Sequence, residues 1–290
     1  MFSQQLVNGI VLGSTYALIA LGYTMVYGIA ELINFAHGEI YMFGAFVGMI
    51  MVTIVGLPFL PALVIAMLAA ALLGVTVEFI AYRPLRKSSR LAALISAIGA
   101  SIFLQNAALL RWGPQSQGFP RPFEVNQIMV AGVRISSLQI YILVISLVLM
   151  VALHFLITKT KIGKAMRATA QDKETAALMG INVNRVISFT FAIGSALGAA
   201  AGVMVGIYFN SVSPMMGLLP GLKGFVAAVL GGIGNIPGAM LGGIILGIAE
   251  TMGVAYGDSR YRDAIAFAIL IIVLLFKPSG LLGKQVQDKV

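Results

Sequence analysis

The chain has no cysteine. Disulfides and thiol chemistry are therefore excluded, and the redox state of its compartment is left open. Charge is also scarce: 10% of residues are charged, where a soluble domain carries about a quarter. A globular enzyme of this length does not fit that composition. Histidine occurs only at His37 and His154, and no H-E-x-x-H pair is present to hold zinc, so no metal site is expected. No G-x-x-x-x-G-K-[ST] loop can cradle nucleotide phosphates, and no G-x-S-x-G elbow can present a nucleophile. Catalytic residues and an ATPase of its own are thus not expected. The segment Met1 to Gln5 lacks a basic n-region, and the first apolar stretch is too long for a cleaved signal peptide.

What is present is apolar: 59% of the chain is hydrophobic. Runs of roughly 20 apolar residues recur, each long enough to cross the ~30 Å hydrocarbon core as a helix. The alternating segments of about ten residues that mark a membrane β-barrel are missing from these runs. Backbone groups in lipid must pair internally, which leaves a helical bundle. The expected fold is all-α and integral to the membrane, with interrupted segments. The spans read as 6–30, 40–56, 60–82, 91–111, 137–158, 186–209 and 263–276. Region 222–256 is interrupted near Asn235-Ile236-Pro237-Gly238. The total is eight spans if that region crosses once and nine if it crosses twice.

The net charge of +9 would suggest nucleic acid in a soluble protein. Here the basic residues flank apolar spans, so they read as topology signals facing anionic lipid, with no nucleic-acid partner. Arg83, Arg86, Lys87 and Arg90 cluster in one loop. Lys159, Lys161, Lys164, Arg167, Lys173 and Arg185 cluster in another, and Lys277, Lys284 and Lys289 in the tail. All three clusters lie on the cytoplasmic side only if 222–256 crosses twice. That gives nine crossings and an external amino terminus. Segment 112–136 is then external, and Val125 to Ser136 predicts a small β-hairpin around Ala131-Gly132.

Glycine recurs every fourth residue at Gly198, Gly202 and Gly206, and in the pairs Gly238/Gly242 and Gly243/Gly247. Such rows let helix backbones approach closely, either within one subunit or across a subunit interface. A faint repeat relates Asn34, Gly38, Gly44 and Gly48 to Asn235, Gly238, Gly242 and Gly247. Interrupted apolar segments in corresponding places line the substrate path of many transporters.

Polar residues inside apolar sequence are the candidate pathway. Ile33 to Glu39 reads I-N-F-A-H-G-E and brings Asn34, His37 and Glu39 between the first two spans. One reading is a break lining the transport route. The other is a short cytoplasmic turn in which His37 and Glu39 satisfy each other or cap span two, with Glu39 offsetting the helix dipole. Glu250 is an intramembrane carboxylate, either part of the pathway or a packing partner for Arg111, Arg260 or Arg262. Glu78 lies one turn before Arg83 and is expected to form an interfacial pair or to snorkel.

Segment 159–185 starts basic, and helix formers run from Lys164 to Met179 before Gly180 stops the helix. It reads as a solvated linker or as an amphipathic docking helix for a cytoplasmic partner. E-T-A-A-L-M-G at 174–180 resembles the E-A-A-x-x-x-G loop of ABC importer permeases, with Thr175 in place of the first alanine. The chain as a whole resembles branched-chain amino acid permeases of the LivH type. The matching stretches are G-S-T-Y-A-L-I-A-L-G-Y-T-M-V-Y-G at 13–28, I-N-F-A-H-G-E at 33–39, A-L-M-G-I-N at 177–182, V-L-G-G-I-G-N-I-P-G-A at 229–239 and G-I-A-E at 247–250.

The resemblance implies a single permease domain over 1–290, with a cytoplasmic coupling loop at 159–185. It implies that Arg167, Asp172, Glu174, Ala176 and Gly180 serve ATPase coupling, and that Asn34, His37, Glu39, Asn235 and Glu250 belong to the translocation pathway. The implied partners are a second homologous permease, two cytoplasmic ATP-binding subunits that carry the ATP and Mg, and a periplasmic substrate-binding protein. The implied location is the bacterial inner membrane. Urea and short-amide permeases share much of the N-F-A-H-G-E region and stand as an alternative for the substrate. An ion-coupled transporter using Glu250 or His37, and a non-transporting scaffold, are the rivals from other classes.

Overall fold

A computed structural model of the chain describes residues 1–86, 88–121, 123–130 and 132–283. Lys87, Ala131, Lys284 and Lys289 lie outside the described residues. The chain folds into helices α1 (Phe2–Ala30), α2 (His37–Thr53), α3 (Phe59–Val77), α4 (Arg90–Trp112) and α5 (Ser137–Lys159). Short helices α6 (Lys161–Gln171) and α7 (Lys173–Leu178) follow. The remainder is α8 (Val183–Phe209), α9 (Leu218–Gly231), α10 (Ile236–Tyr256) and α11 (Arg262–Phe276). Strands β1 (Gln127–Val130) and β2 (Val133–Ser136) pair antiparallel, with Gln127 opposite Ser136 and Val130 opposite Val133.

Among the described residues, six helices are long and apolar enough to cross a membrane: α1, α3 with its extension to Leu85, α4, α5, α8 and α10. Leu72, Phe103, Leu110 and Phe155 on α3, α4 and α5 are exposed. In water they would form apolar patches of a size that soluble monomers avoid; in lipid they are at home. Helices α1 and α8 form the buried centre.

Small residues bring the central helices together. A Cβ at Gly9 would lie 2.8 Å from the Ile248 backbone, and one at Gly13 only 2.7 Å from the Ile244 backbone. The Gly9/Gly13 row of α1 therefore seats directly on α10, whose own Gly243 and Gly247 face Ala17 and Gly13. The Gly198/Gly202/Gly206 row of α8 faces His37, Tyr41 and Phe119. Of the two readings of these rows, packing within the subunit is the one found for the residues named.

The loops sort to two ends. At one end the Gln4 amide donates to the Arg134 carbonyl at 2.9 Å and accepts from the Arg134 amide at 2.8 Å. Gln117 and Val212 exchange backbone hydrogen bonds of 2.8 Å at that same end. At the other end Arg86 donates to Asn184 at 2.7 Å, and Lys173 to the Ala30 carbonyl at 3.2 Å. The tail returns there too: the Leu281 amide donates to Leu230, and the Asn235 amide to the Leu282 carbonyl at 2.6 Å. The described basic residues of the two clustered loops, together with Lys277, thus share one end.

Region 222–256 is two antiparallel helices, α9 and α10, around a turn at 232–235. Asn235 accepts from the Gly238 amide at 3.0 Å and Pro237 sits in the first turn, so the interruption is a capped helix start. Helices α2 and α9 are shorter than the six long apolar helices and begin part way along their neighbours. His37, the first residue of α2, packs on Gly22 of α1 and Gly198 of α8. In α9, Lys223 lies over the Tyr16 ring and Gly224 packs on Ile19. Segments 31–36 and 211–217 therefore fold back into the bundle before each of these helices starts. This corrects the reading of 33–39 as a cytoplasmic turn: His37 and Glu39 stand inside α2, well within the bundle.

Candidate translocation cavity and coupling corner

Segment 31–36 begins where Glu31 takes a left-handed conformation, φ 61° and ψ 25°, and ends α1. Asn34 is buried, and its side-chain oxygen accepts from the Tyr82 hydroxyl at 3.0 Å. Tyr82 belongs to a π-helical turn, Glu78–Tyr82, that continues α3. His37 is buried in a slot walled by Gly22 and Gly198, with the Tyr23 ring edge-on at 4.8 Å. Its Nε2 has no hydrogen-bond partner among the described residues. Glu39 is 2% exposed; its Oε1 accepts from the Ser101 hydroxyl at 3.3 Å, and its Oε2 has no partner among the described residues. His37 and Glu39 do not bond to each other, so the mutual-satisfaction reading fails. Glu39 does lie in the first turn of α2, where a carboxylate opposes the helix dipole.

Glu39 lines a cavity of about 190 Å³ between the first turns of α2 and α9 and one stripe of α4. The α4 stripe is Ile98, Ser101, Ile102 and Gln105, spaced as one helical face. Gly38 and Gly217 pack backbone to backbone across it, and a Cβ at Gly217 would lie 3.1 Å from Glu39 Oε2. The two helix starts therefore meet at this carboxylate.

Glu250 is fully buried in an ion network. It accepts from Lys223 at 3.0 Å, from the Tyr16 hydroxyl at 3.0 Å, and pairs with Arg262 at 3.2 Å. Lys223 also pairs with Asp263 at 2.7 Å. Four helices, α1, α9, α10 and α11, are joined by these contacts. Arg262 was one of three partners open from the sequence. Lys223 was missed; a single lysine inside the apolar run 218–231 is the signal that could have found it.

Glu78 is fully buried and pairs with Arg83 at 3.0 Å and with Arg86. It also accepts from the Ser188 hydroxyl at 2.8 Å. The expected Glu78–Arg83 pair thus ties the end of α3 to the start of α8.

The coupling segment is not one helix over 164–179. It is α6 and α7, with a corner at Asp172, whose backbone is extended at φ −161°. Asp172 breaks the run because its side chain caps the second helix, accepting from the Glu174 amide at 2.8 Å and the Thr175 amide at 2.9 Å. These hydrogen bonds, led by those from Thr175, hold its carboxyl below the usual carboxylate range. Arg167 donates to the Ile157 carbonyl, anchoring α6 under α5. Ala176 is buried, whereas Leu178 and Met179 are among the most exposed apolar side chains. Gly180 follows with φ 83°, the left-handed stop expected of it. Lys173 bonds to the Ala30 carbonyl and lies 3.3 Å from the Glu31 carboxylate, a link no sequence pattern announced.

A bundle of apolar helices, two of them short and starting inside it, with a largely apolar cavity holding one buried carboxylate at their meeting point and an exposed capped corner at one end, defines a multi-pass membrane transport subunit. The family model described as branched-chain amino acid transport system / permease component matches residues 5–274, and the chain belongs to that family. The chain is 47% identical to the high-affinity branched-chain amino acid transport system permease protein BraD of Pseudomonas aeruginosa, with 100% of this chain and 98% of that protein covered. It is also 47% identical to the permease protein LivH of Escherichia coli, over the same shares of both chains. A probable branched-chain amino acid transport permease of Methanocaldococcus jannaschii is 27% identical over 95% of this chain and 91% of its own length.

Proposed function

We propose that this chain is the membrane-spanning subunit of an ATP-driven importer that moves leucine, isoleucine and valine across the bacterial inner membrane. The full-length likeness to permeases named for that transport carries the reading. The partners are a second permease of the same family, two cytoplasmic ATP-binding subunits that hold ATP and Mg, and an external substrate-binding protein. The whole chain acts as one permease domain. The basic end faces the cytoplasm, in line with the bias of lysine and arginine toward that side. The amino terminus and the β1–β2 ribbon are then external. Nine helices enter the membrane, with α2 and α9 reaching only part way from their starts.

Residues 159–185 are the coupling loop. The exposed corner around Glu174, Leu178 and Met179 seats on an ATP-binding subunit, and Arg167, Asp172, Ala176 and Gly180 hold its shape. Movement of α7 reaches the interior through Lys173, which grips the end of α1 at Ala30 and Glu31. Segment 31–36 then carries it to Asn34, His37 and Glu39, the residues we assign to the pathway. Asn235, a helix cap, and Glu250, a member of a satisfied ion network, are assigned to the framework. A proton-carrying role for Glu250 is disfavoured by its three cationic or hydroxyl partners.

The test is reconstitution. Proteoliposomes holding this chain, its partner permease and both ATP-binding subunits should accumulate leucine when ATP and the binding protein are supplied. Vesicles holding this chain alone should not. Leucine uptake by the chain alone, or driven by a proton gradient without ATP, would overturn the proposal.

A further inference from the structure

The cavity at the meeting of α2 and α9 contains a polar group that the fold itself leaves unused. Glu39 is 2% exposed and its Oε2 has no hydrogen-bond partner among the described residues. A carboxylate in such a place is costly unless charge or hydrogen bonding answers it. Two partial answers are built in. The carboxylate stands in the first turn of α2, and its Oε2 lies against Gly217, the residue that starts α9. Both helix starts present the positive ends of their dipoles toward it. What is missing is a donor for Oε2.

The rest of the cavity narrows what that donor is. Ile98, Ile102, Leu218 and Leu222 supply an apolar wall on one side. The start of α9 has no side-chain cap, and the Leu218 amide makes no backbone hydrogen bond among the described residues. One group of one sign, an apolar wall and an uncapped helix start are the complement of a zwitterion with a branched apolar side chain. A cavity of about 190 Å³ is of a size to admit one small amino acid and little water.

We propose that this cavity is a way-station for the transported amino acid, with Glu39 Oε2 accepting from its α-ammonium. The α-carboxylate meets the uncapped first turn of α9, and the side chain lies on the α4 stripe. This rests on the function proposed above and adds the group that recognises the substrate inside the membrane. Ser101, which donates to Oε1, is a positioning residue that turns Oε2 toward the ligand.

The natural absence of cysteine makes a direct test simple. Ile102→Cys places one thiol in the cavity wall. In the assembled complex in nanodiscs, without binding protein, its alkylation by N-ethylmaleimide is timed against added leucine, isoamylamine or 4-methylpentanoate. Leucine and isoamylamine, which carry the ammonium, should slow alkylation; 4-methylpentanoate, which lacks it, should not. Adding Glu39→Gln should raise the leucine concentration needed for protection by about tenfold, the worth of one charge-assisted hydrogen bond. Glu39→Asp should restore part of it. Co-purification of the ATP-binding subunits with each variant checks that the fold survives. Equal protection by 4-methylpentanoate, or unchanged protection in a well-assembled Glu39→Gln complex, would overturn the proposal. Leucine uptake by the complex without added cysteine separates the two readings: uptake present with no protection removes the way-station alone, and uptake absent removes the function it rests on.

Discussion

Glu31 and Asn210 are the two non-glycine residues with positive φ among the described residues, at 61° and 54°, and each ends a central helix just before a segment that folds back into the bundle. Glu31 ends α1 before segment 31–36 and α2; Asn210 ends α8 before segment 211–217 and α9. The left-handed conformation reverses the chain where continuing the helix would carry it out of the bundle. Asparagine tolerates that conformation well and glutamate less so, which makes Glu31 the costlier of the pair. Its carboxylate earns that position through Lys173 of the coupling corner.

Breaking the Lys173–Glu31 link should uncouple rather than unfold. Both side chains are more than a third exposed, so the ion pair is worth only about 0.2–1 kcal/mol of stability. Lys173→Ala should assemble normally in detergent, hydrolyse ATP with its partners, and transport leucine poorly per ATP consumed. Uptake per ATP equal to the parent would show that motion reaches the interior by another route.

Gly180 separates conformation from volume. Nothing among the described residues lies within 4 Å of where its Cβ would stand, so a larger side chain has room. The constraint is φ 83°, which costs a β-branched or bulky residue roughly 1–2 kcal/mol. Gly180→Asn should therefore keep most ATP-driven uptake, while Gly180→Leu and Gly180→Val should lose coupling. Equal uptake in all three variants would remove the backbone argument.

Acid should weaken the corner only at low pH. The ionised Asp172 accepts from the Thr175 and Glu174 groups, so its folded value is depressed. A depressed carboxylate contributes stability that is complete above its unfolded value and lost as pH falls through its folded value. Coupling through this corner should thus be flat from neutral pH down to the ordinary carboxylate range. Asp172→Asn, which keeps a side-chain acceptor, should behave nearly as the parent at neutral pH, and Asp172→Ala should not. Uptake per ATP measured across pH in the three proteins decides this.

Glu250→Gln removes the shared anion from Lys223 and Arg262. Leaving a buried cation without its counter-charge costs about 3–5 kcal/mol, softened here by Asp263 and by the exposure of Arg262. The amount of folded protein in the membrane should fall, with uptake per surviving complex largely kept. Normal expression with lost turnover would instead put Glu250 in the pathway. Quantifying the purified complex beside its uptake rate distinguishes the two.

Much of this protein was legible from residue order. Long apolar runs must become helices because lipid offers no hydrogen bonds to backbone groups, and their limits lie within a few residues of the helices found. The Gly180 stop and the Glu78–Arg83 pair are local, within reach of nearest-neighbour reasoning. Family membership was legible too, because the motifs run the length of the chain.

The depth of each polar residue was decided by tertiary structure alone. Asn34, His37 and Glu39 could be read as a break lining the route or as a surface turn, because sequence records that a span is interrupted, but not whether the interrupting segment leaves the bundle or folds back into it. Fold-back requires Gly38 beside His37, and Gly22, Gly198 and Gly217 on three other stretches of chain, to clear the space, and only packing brings those glycines together. The same holds for charge. Glu250 and Lys223 lie on different helices, and their separation in sequence says nothing of the 3.0 Å between them. The Asp172 corner adds the last case: helix propensity favoured one continuous helix, and a single capping side chain turned it into two. Residue order sets what each segment can become in a membrane; where its charges and openings fall depends on contacts between segments far apart in the chain.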